Sequence, residues 1–120
     1  MELQNIDHVQ LAMPVGGEAL AREFYSKLLG LNEVKKPKNL LNRGGVWFAN
    51  GPLKLHLGVD KDFMPATKAH PAFEVRSLSG LRKILEDAKY TILVDEPLKG
   101  YDRFYVNDPF GNRIEFLEPK

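Results

Sequence analysis

The chain contains the same pattern twice, and this repetition limits the possible folds more than any other feature of the sequence. Residues 6–13 alternate apolar and polar side chains with the period of a strand, and Pro14-Val15-Gly16-Gly17 ends the run. From Glu18 to Leu29 the period changes: Leu20, Phe24 and Leu28 fall four apart on one face, Glu23 and Lys27 can pair outside, and Gly30 stops the helix. A short strand over 31–35, a loop over 37–43 and two strands over 46–49 and 53–59 follow. Asn50-Gly51, a dipeptide suited to a tight hairpin, joins the last two. The first half reads βαβββ.

His70 opens the second copy as His8 opens the first. A strand over 70–75 leads to Ser77 as a helix N-cap, and Leu78, Leu81, Leu85 and Ala88 form a helical stripe. Strands over 92–94, 103–106 and 113–117 complete it, with Asn107-Asp108-Pro109-Phe110-Gly111-Asn112 as the turn between the last two. The expected class is therefore α+β, a single domain of two βαβββ modules over about residues 4–59 and 70–118, joined by a polar linker over 60–69. A sheet with its helix on one face leaves the other face open, and two such mixed sheets together curl into a cup.

A chain of 120 residues is one domain's worth. Seventeen Lys plus Arg against sixteen Asp plus Glu leave a formal charge of +1, too weak a field to make nucleic acid a partner. Lys35, Lys36 and Lys38, broken by Pro37 and followed by Asn39, read as a solvated loop in preference to the alternative, an anion-binding patch. The absence of cysteine removes disulfides, thiolate zinc sites and cysteine nucleophiles together. No secretory signal and no membrane-length apolar run is visible, so the expected location is the cytoplasm with no membrane partner. No serine lies in a Gly-x-Ser-x-Gly elbow, and no phosphate-binding or dinucleotide glycine motif occurs.

Strand alternation divides each predicted strand into a packed set and an open-face set. His8 and Gln10, Lys54 and His56, His70 and Glu74, Arg103 and Tyr105, and Arg113 and Glu115 fall on the open faces. All three histidines of the chain thus share that side with carboxylates. Imidazole and carboxylate suit zinc, nickel, iron(II) and manganese; a metal-free hydrogen-bonded His/Glu network is the competing reading. Glu74 and Glu115 are candidate general bases, and Gln10 can orient a ligand or a substrate oxygen. Arg103 can clamp a carboxylate or phosphate, which makes the expected substrate a small anion. Trp47 serves either as a pocket wall or in core packing.

Asp7-His8-Val9, Phe24-Tyr25-Ser26-Lys27-Leu28-Leu29-Gly30-Leu31, Leu55-His56-Leu57, His70-Pro71-Ala72-Phe73-Glu74-Val75 and the run from Phe104 to Glu115 occur in an order and placement that resemble the vicinal oxygen chelate superfamily, the group of glyoxalases, bleomycin-resistance proteins and extradiol dioxygenases. The resemblance implies one divalent metal ion (nickel, zinc, manganese or iron(II)) held at His8, His56, His70 and Glu115. His8, His70 and Glu115 match the three-ligand set of extradiol dioxygenases and fosfomycin-resistance enzymes. His56 stands where glyoxalase I typically has Glu, as a fourth ligand or as a substrate-binding or ligand-orienting group. Tyr105 matches a substrate-contacting position of fosfomycin-resistance enzymes. A homodimer is the commoner family arrangement.

Four ligands leave two adjacent positions on an octahedral ion, which favours bidentate substrate chelation and Lewis-acid isomerase or lyase chemistry. Three ligands leave room for dioxygen and the extradiol reaction. A metal-free protein that sequesters a small molecule, of bleomycin-resistance type, is the alternative outside enzymology.

Overall fold

Alternating apolar residues build two mixed sheets, each inside its own compact unit of the computed structural model. The structure describes residues 1–120, and the units are Met1–Met64 and Pro65–Lys120.

In the first unit β1 (Val9–Met13) leads into a helix that begins as α1 (Glu18–Ala21) and continues as a π-helix over Arg22–Leu28. After β2 (Asn32–Val34) and a 3-10 helix over Lys38–Arg43 come β3 (Val46–Asn50) and β4 (Leu53–Val59). The sheet order is β1-β4-β3-β2, with β1 parallel to β4 and the other pairs antiparallel. Met13, Phe24, Tyr25, Phe48, Leu55 and Leu57 are fully buried, so the packed face of β1, β3 and β4 meets the helix.

The second unit contains β5 (Ala72–Glu74), α2 (Leu78–Asp87), β6 (Tyr101–Asn107) and β7 (Arg113–Pro119). β7 lies at the centre, parallel to β5 and antiparallel to β6. Leu85, Val106 and Ile114 are fully buried beside nearly buried Phe104 and Phe116. The β6–β7 turn is tied by Asp108: its Oδ1 accepts from the N–H groups of Phe110 at 2.9 Å and Asn112 at 2.8 Å, and its Oδ2 from Asn112 Nδ2 at 3.0 Å. Gly111, at φ +92°, supplies the left-handed residue this turn requires. The tied turn fixes the register that sets Tyr105 beside Glu115.

Several elements differ in extent from the sequence expectation. The first strand starts at Val9, so His8 immediately precedes it. The strand expected over 70–75 narrows to Ala72–Glu74, because Pro71 has no N–H to give the ladder; its carbonyl still accepts from Glu115 N–H at 3.0 Å. The strand expected over 92–94 is reduced to a single bridge between Leu93 and Tyr105, since the chain turns away at Asp95-Glu96-Pro97. The second sheet therefore has three full strands. Residues 38–43 of the expected loop form the 3-10 helix. The π-turn shifts the helix register: Ala21, Phe24 and Tyr25 are buried, while Leu20, expected on the packed stripe, is exposed.

No helix is long and apolar enough to cross a membrane.

Candidate functional site

In the first unit the register sets Gln10, His56 and Trp47 side by side on neighbouring strands, all on one face of the sheet. His56 is sandwiched: the Trp47 indole lies on it at 3.8 Å between ring centroids with an interplanar angle of 1°, and the His8 ring stacks at 4.3 Å. Stacking covers the faces of the imidazole and leaves its nitrogen-bearing edge for other partners. Burial, aided by the neighbouring His8, pushes the His56 pKa below the ordinary histidine value, which favours the neutral ring with a free lone pair. The His8 Nδ1–H donates to the Asp7 carboxylate at 3.0 Å, so Nε2 is the nitrogen presented elsewhere. Lys54 reaches the other Asp7 oxygen at 3.4 Å. Trp47, with pocket wall and core packing both open from the sequence, stands against His56.

In the second unit Ala72, Glu115 and Tyr105 form the corresponding row across β5, β7 and β6. His70 precedes β5, with Nδ1 2.9 Å from the Lys68 carbonyl and Nε2 2.9 Å from Glu115 Oε1. Arg103 Nη1 donates to the other oxygen of Glu115 at 3.3 Å and to the Tyr105 hydroxyl at 2.9 Å, while its Nη2 donates to the Glu96 carbonyl. Burial raises the Glu115 pKa, but the hydrogen bonds from His70, Arg103 and Tyr105 outweigh it and hold the carboxyl below its ordinary range. The Arg113 guanidinium lies 4.0 Å from the Tyr105 ring centroid, with Asp95 3.5 Å from its outer nitrogen. Glu74 shares the face of Glu115 but is exposed at the end of β5, outside this hydrogen-bonded cluster.

The donor chemistry of the His70–Glu115 pair fits a divalent cation. A carbonyl only accepts, so the Lys68 contact places a hydrogen on Nδ1. The 2.9 Å contact between Nε2 and Glu115 Oε1 is then bridged by a shared proton, whose place a divalent cation can take. No group of three or more His, Asp or Glu side chains that could hold a metal forms in the single chain: the candidate donors come as His8 with His56 and as His70 with Glu115.

Sequence reasoning missed the groups that orient these rings. Asp7, adjacent to His8, was legible as a carboxylate–histidine neighbour, whereas the Lys68 carbonyl leaves no side-chain signal. Arg103, read as a substrate clamp, has both terminal nitrogens engaged within the protein, and its buried Nε has no partner. Lys36, expected in a solvated loop, is half-buried and donates to the Gly44 carbonyl.

Comparison with known proteins agrees with this architecture. A protein from Bacillus anthracis assigned to the glyoxalase family has a crystal structure that superposes with a TM-score of 0.95, at 46% identity, over 100% of this chain and 98% of that one. Glyoxylase I 4 of Arabidopsis thaliana is 26% identical over 126 residues, 96% of this chain and 71% of its own. A fosfomycin resistance protein of Listeria monocytogenes shares the fold at a TM-score of 0.79 and 14% identity, over 99% of this chain and 94% of that one. The family model matches residues 5–116, and the chain belongs to the Glyoxalase/Bleomycin resistance protein/Dioxygenase superfamily.

Proposed function

We propose that this protein is a glyoxalase-like, divalent-metal-dependent enzyme acting on a small oxygenated substrate, with His8, His56, His70 and Glu115 as the metal ligands. The observation that carries the reading is the His70 Nε2–Glu115 Oε1 contact, an imidazole nitrogen and a carboxylate oxygen held 2.9 Å apart with Nδ1 turned to the Lys68 carbonyl. Three of the four donors arrive oriented by a partner, His8 by Asp7, His70 by Lys68 and Glu115 by Arg103, which is how metal ligands are commonly held. A bound divalent ion supplies Lewis acidity that stabilises negative charge developing on a substrate oxygen.

The protein's own groups divide the remaining work. Glu115, kept ionised by its neighbours, is the proton acceptor when its carboxylate is released from the metal, and Arg103 and Tyr105 keep that carboxylate aligned. Arg103 thus acts through Glu115. Glu74 lies outside the cluster, so proton transfer is assigned to Glu115. Gln10, beside His56 in the row, orients a substrate oxygen through its amide. Isomerisation and lyase reactions that begin by removing a proton next to a carbonyl fit this set. The protein acts as a homodimer, a reading supported by apolar side chains left more than two-thirds exposed in the single chain: Ile6 at 80%, Met64 at 85% and Val94 at 76%.

The test is elemental mass spectrometry on protein purified without added metal, beside a His8→Ala, Glu115→Ala double variant. Near-stoichiometric nickel, zinc, manganese or iron that the variant loses is the expected result. A wild-type protein that carries no metal, and whose melting temperature none of these ions raises, overturns the reading in favour of metal-free small-molecule sequestration.

A further inference from the structure

Beside Trp47 the first unit contains a cleft of about 200 Å³ whose lining includes Lys36, Arg43, Gln10, Leu40 and Gly58. Its origin lies in the glycine. Gly58 is two residues beyond His56 on β4, on the same face, and a Cβ there would stand 2.5 Å from Gln10 Nε2. With no side chain at Gly58, Gln10 lies over the strand and the space beside it stays open. The two charged residues of the lining are both cations, and no Asp or Glu lines the cleft. Lys36 is held by the Gly44 carbonyl, and Arg43 closes the 3-10 helix. The acidic group nearest in influence is Glu18, which Lys36 helps to keep ionised; Glu18 Oε2 is occupied by the Gly45 N–H at 2.9 Å. The cleft therefore presents two positive charges, an amide and an aromatic wall, a combination that recognises an oxyanion attached to a small organic body.

We propose that this cleft is the subsite for the anionic end of the substrate, a carboxylate or phosphonate bound by Lys36 and Arg43 and flanked by Trp47. The inference deepens the metal-chelate reading and takes from it only the direction in which the rest of the substrate points. Gly58 lies two residue steps beyond His56 on the same face of β4, about 7 Å along the strand, so a substrate reaching from the His56 row into the cleft covers at least that distance. A substrate must be long enough to span that distance and charged at the far end.

Trp47 is the only tryptophan in the chain, so its fluorescence reports its own surroundings, the cleft and the stacked His56 ring, and the Lys36 and Arg43 variants assign a response to the cleft. Chelator-treated protein is titrated at constant ionic strength with acetate, methylphosphonate and the neutral acetamide. At least one anion changes the Trp47 emission saturably, acetamide does not, and the stronger anion identifies the acid class. Arg43→Gln and Lys36→Met each weaken the response about tenfold, and Lys36→Arg restores most of it. A Lys36→Met protein that fails to melt cooperatively leaves the decision to Arg43→Gln, which changes an exposed side chain. Absence of a saturable response to both anions, an equal response to acetamide, or unchanged affinity in the Arg43→Gln variant overturns the proposal. Metal uptake is measured on the same preparations: metal binding without the anion response rejects the subsite alone, and the anion response without metal binding rejects the metal reading alone.

Discussion

Glu18 shows how a single side chain secures the border of the cleft without lining it. Its Oε2 accepts the Gly45 N–H at 2.9 Å, and this hydrogen bond is the chief reason its carboxyl titrates below the ordinary 4.5. Gly45 cannot readily be replaced by another residue: its φ is +91°, and a Cβ would meet the Leu57 carbonyl oxygen at 2.4 Å. The Glu18 carboxylate, from another element, holds this glycine stretch in place. For a carboxyl whose folded pKa is lowered, stability is fully present above the unfolded value of 4.5 and is lost as pH falls through the folded value, because the unfolded chain takes up the proton first. Glu18→Gln keeps an acceptor but loses the charge. Near neutral pH it is expected to cost about 1 kcal/mol by urea denaturation. The gap between wild type and variant should close as the pH is lowered below 4.5; a gap constant across that range would show that charge has no part in the contact.

At the scale of elements, α2 illustrates what the sequence makes legible. Ser77 caps it as expected, its Oγ accepting from Gly80 N–H at 3.1 Å, and Glu118 of β7 accepts from Leu78 N–H at 2.9 Å. Ser77→Ala is expected to lower unfolding free energy by about 1 kcal/mol in chemical denaturation, leaving the Glu118 contact to hold the first turn. Local signals of this kind, a cap residue, the Asn50-Gly51 hairpin and the alternation that put His56 and Glu115 on open faces, are written in adjacent residues. The first helix is different. Its π-turn depends on Phe24 and Tyr25 packing as a pair, with Tyr25 5.8 Å from Phe48 of β3, and four-residue spacing carries no trace of that choice. The single bridge at Leu93 is likewise set by which strand ends find ladder partners, whereas the late start of β5 follows from Pro71, a local signal. The residue types of the candidate site were readable one by one; the stack on His56 and the half-burial of Lys36 were not, since both arise from neighbours distant in sequence.

For the whole molecule, the division of the candidate donors between the two units has a consequence for assembly. Each pair is built inside its own unit, His8 with His56 in the first and His70 with Glu115 in the second, so substitutions that remove one pair leave the other in place. Consider one chain carrying His8→Ala and His56→Ala, and another carrying His70→Ala and Glu115→Ala. Neither alone assembles four ligands, whichever chains the site draws on. If the protein forms the proposed homodimer, then after the two are unfolded and refolded together half the dimers contain one chain of each kind. If each metal site takes one pair from each chain, every mixed dimer regains one complete site of its two, and metal content rises to about a quarter of the wild-type value. We expect this recovery, read by elemental analysis of the mixture after chromatography at the dimer position. No metal in the mixture, with dimers formed, would mean that each site takes both pairs from a single chain. The four-ligand set would then have to be complete in each copy before the dimer forms, and dilution to monomer would leave metal binding intact.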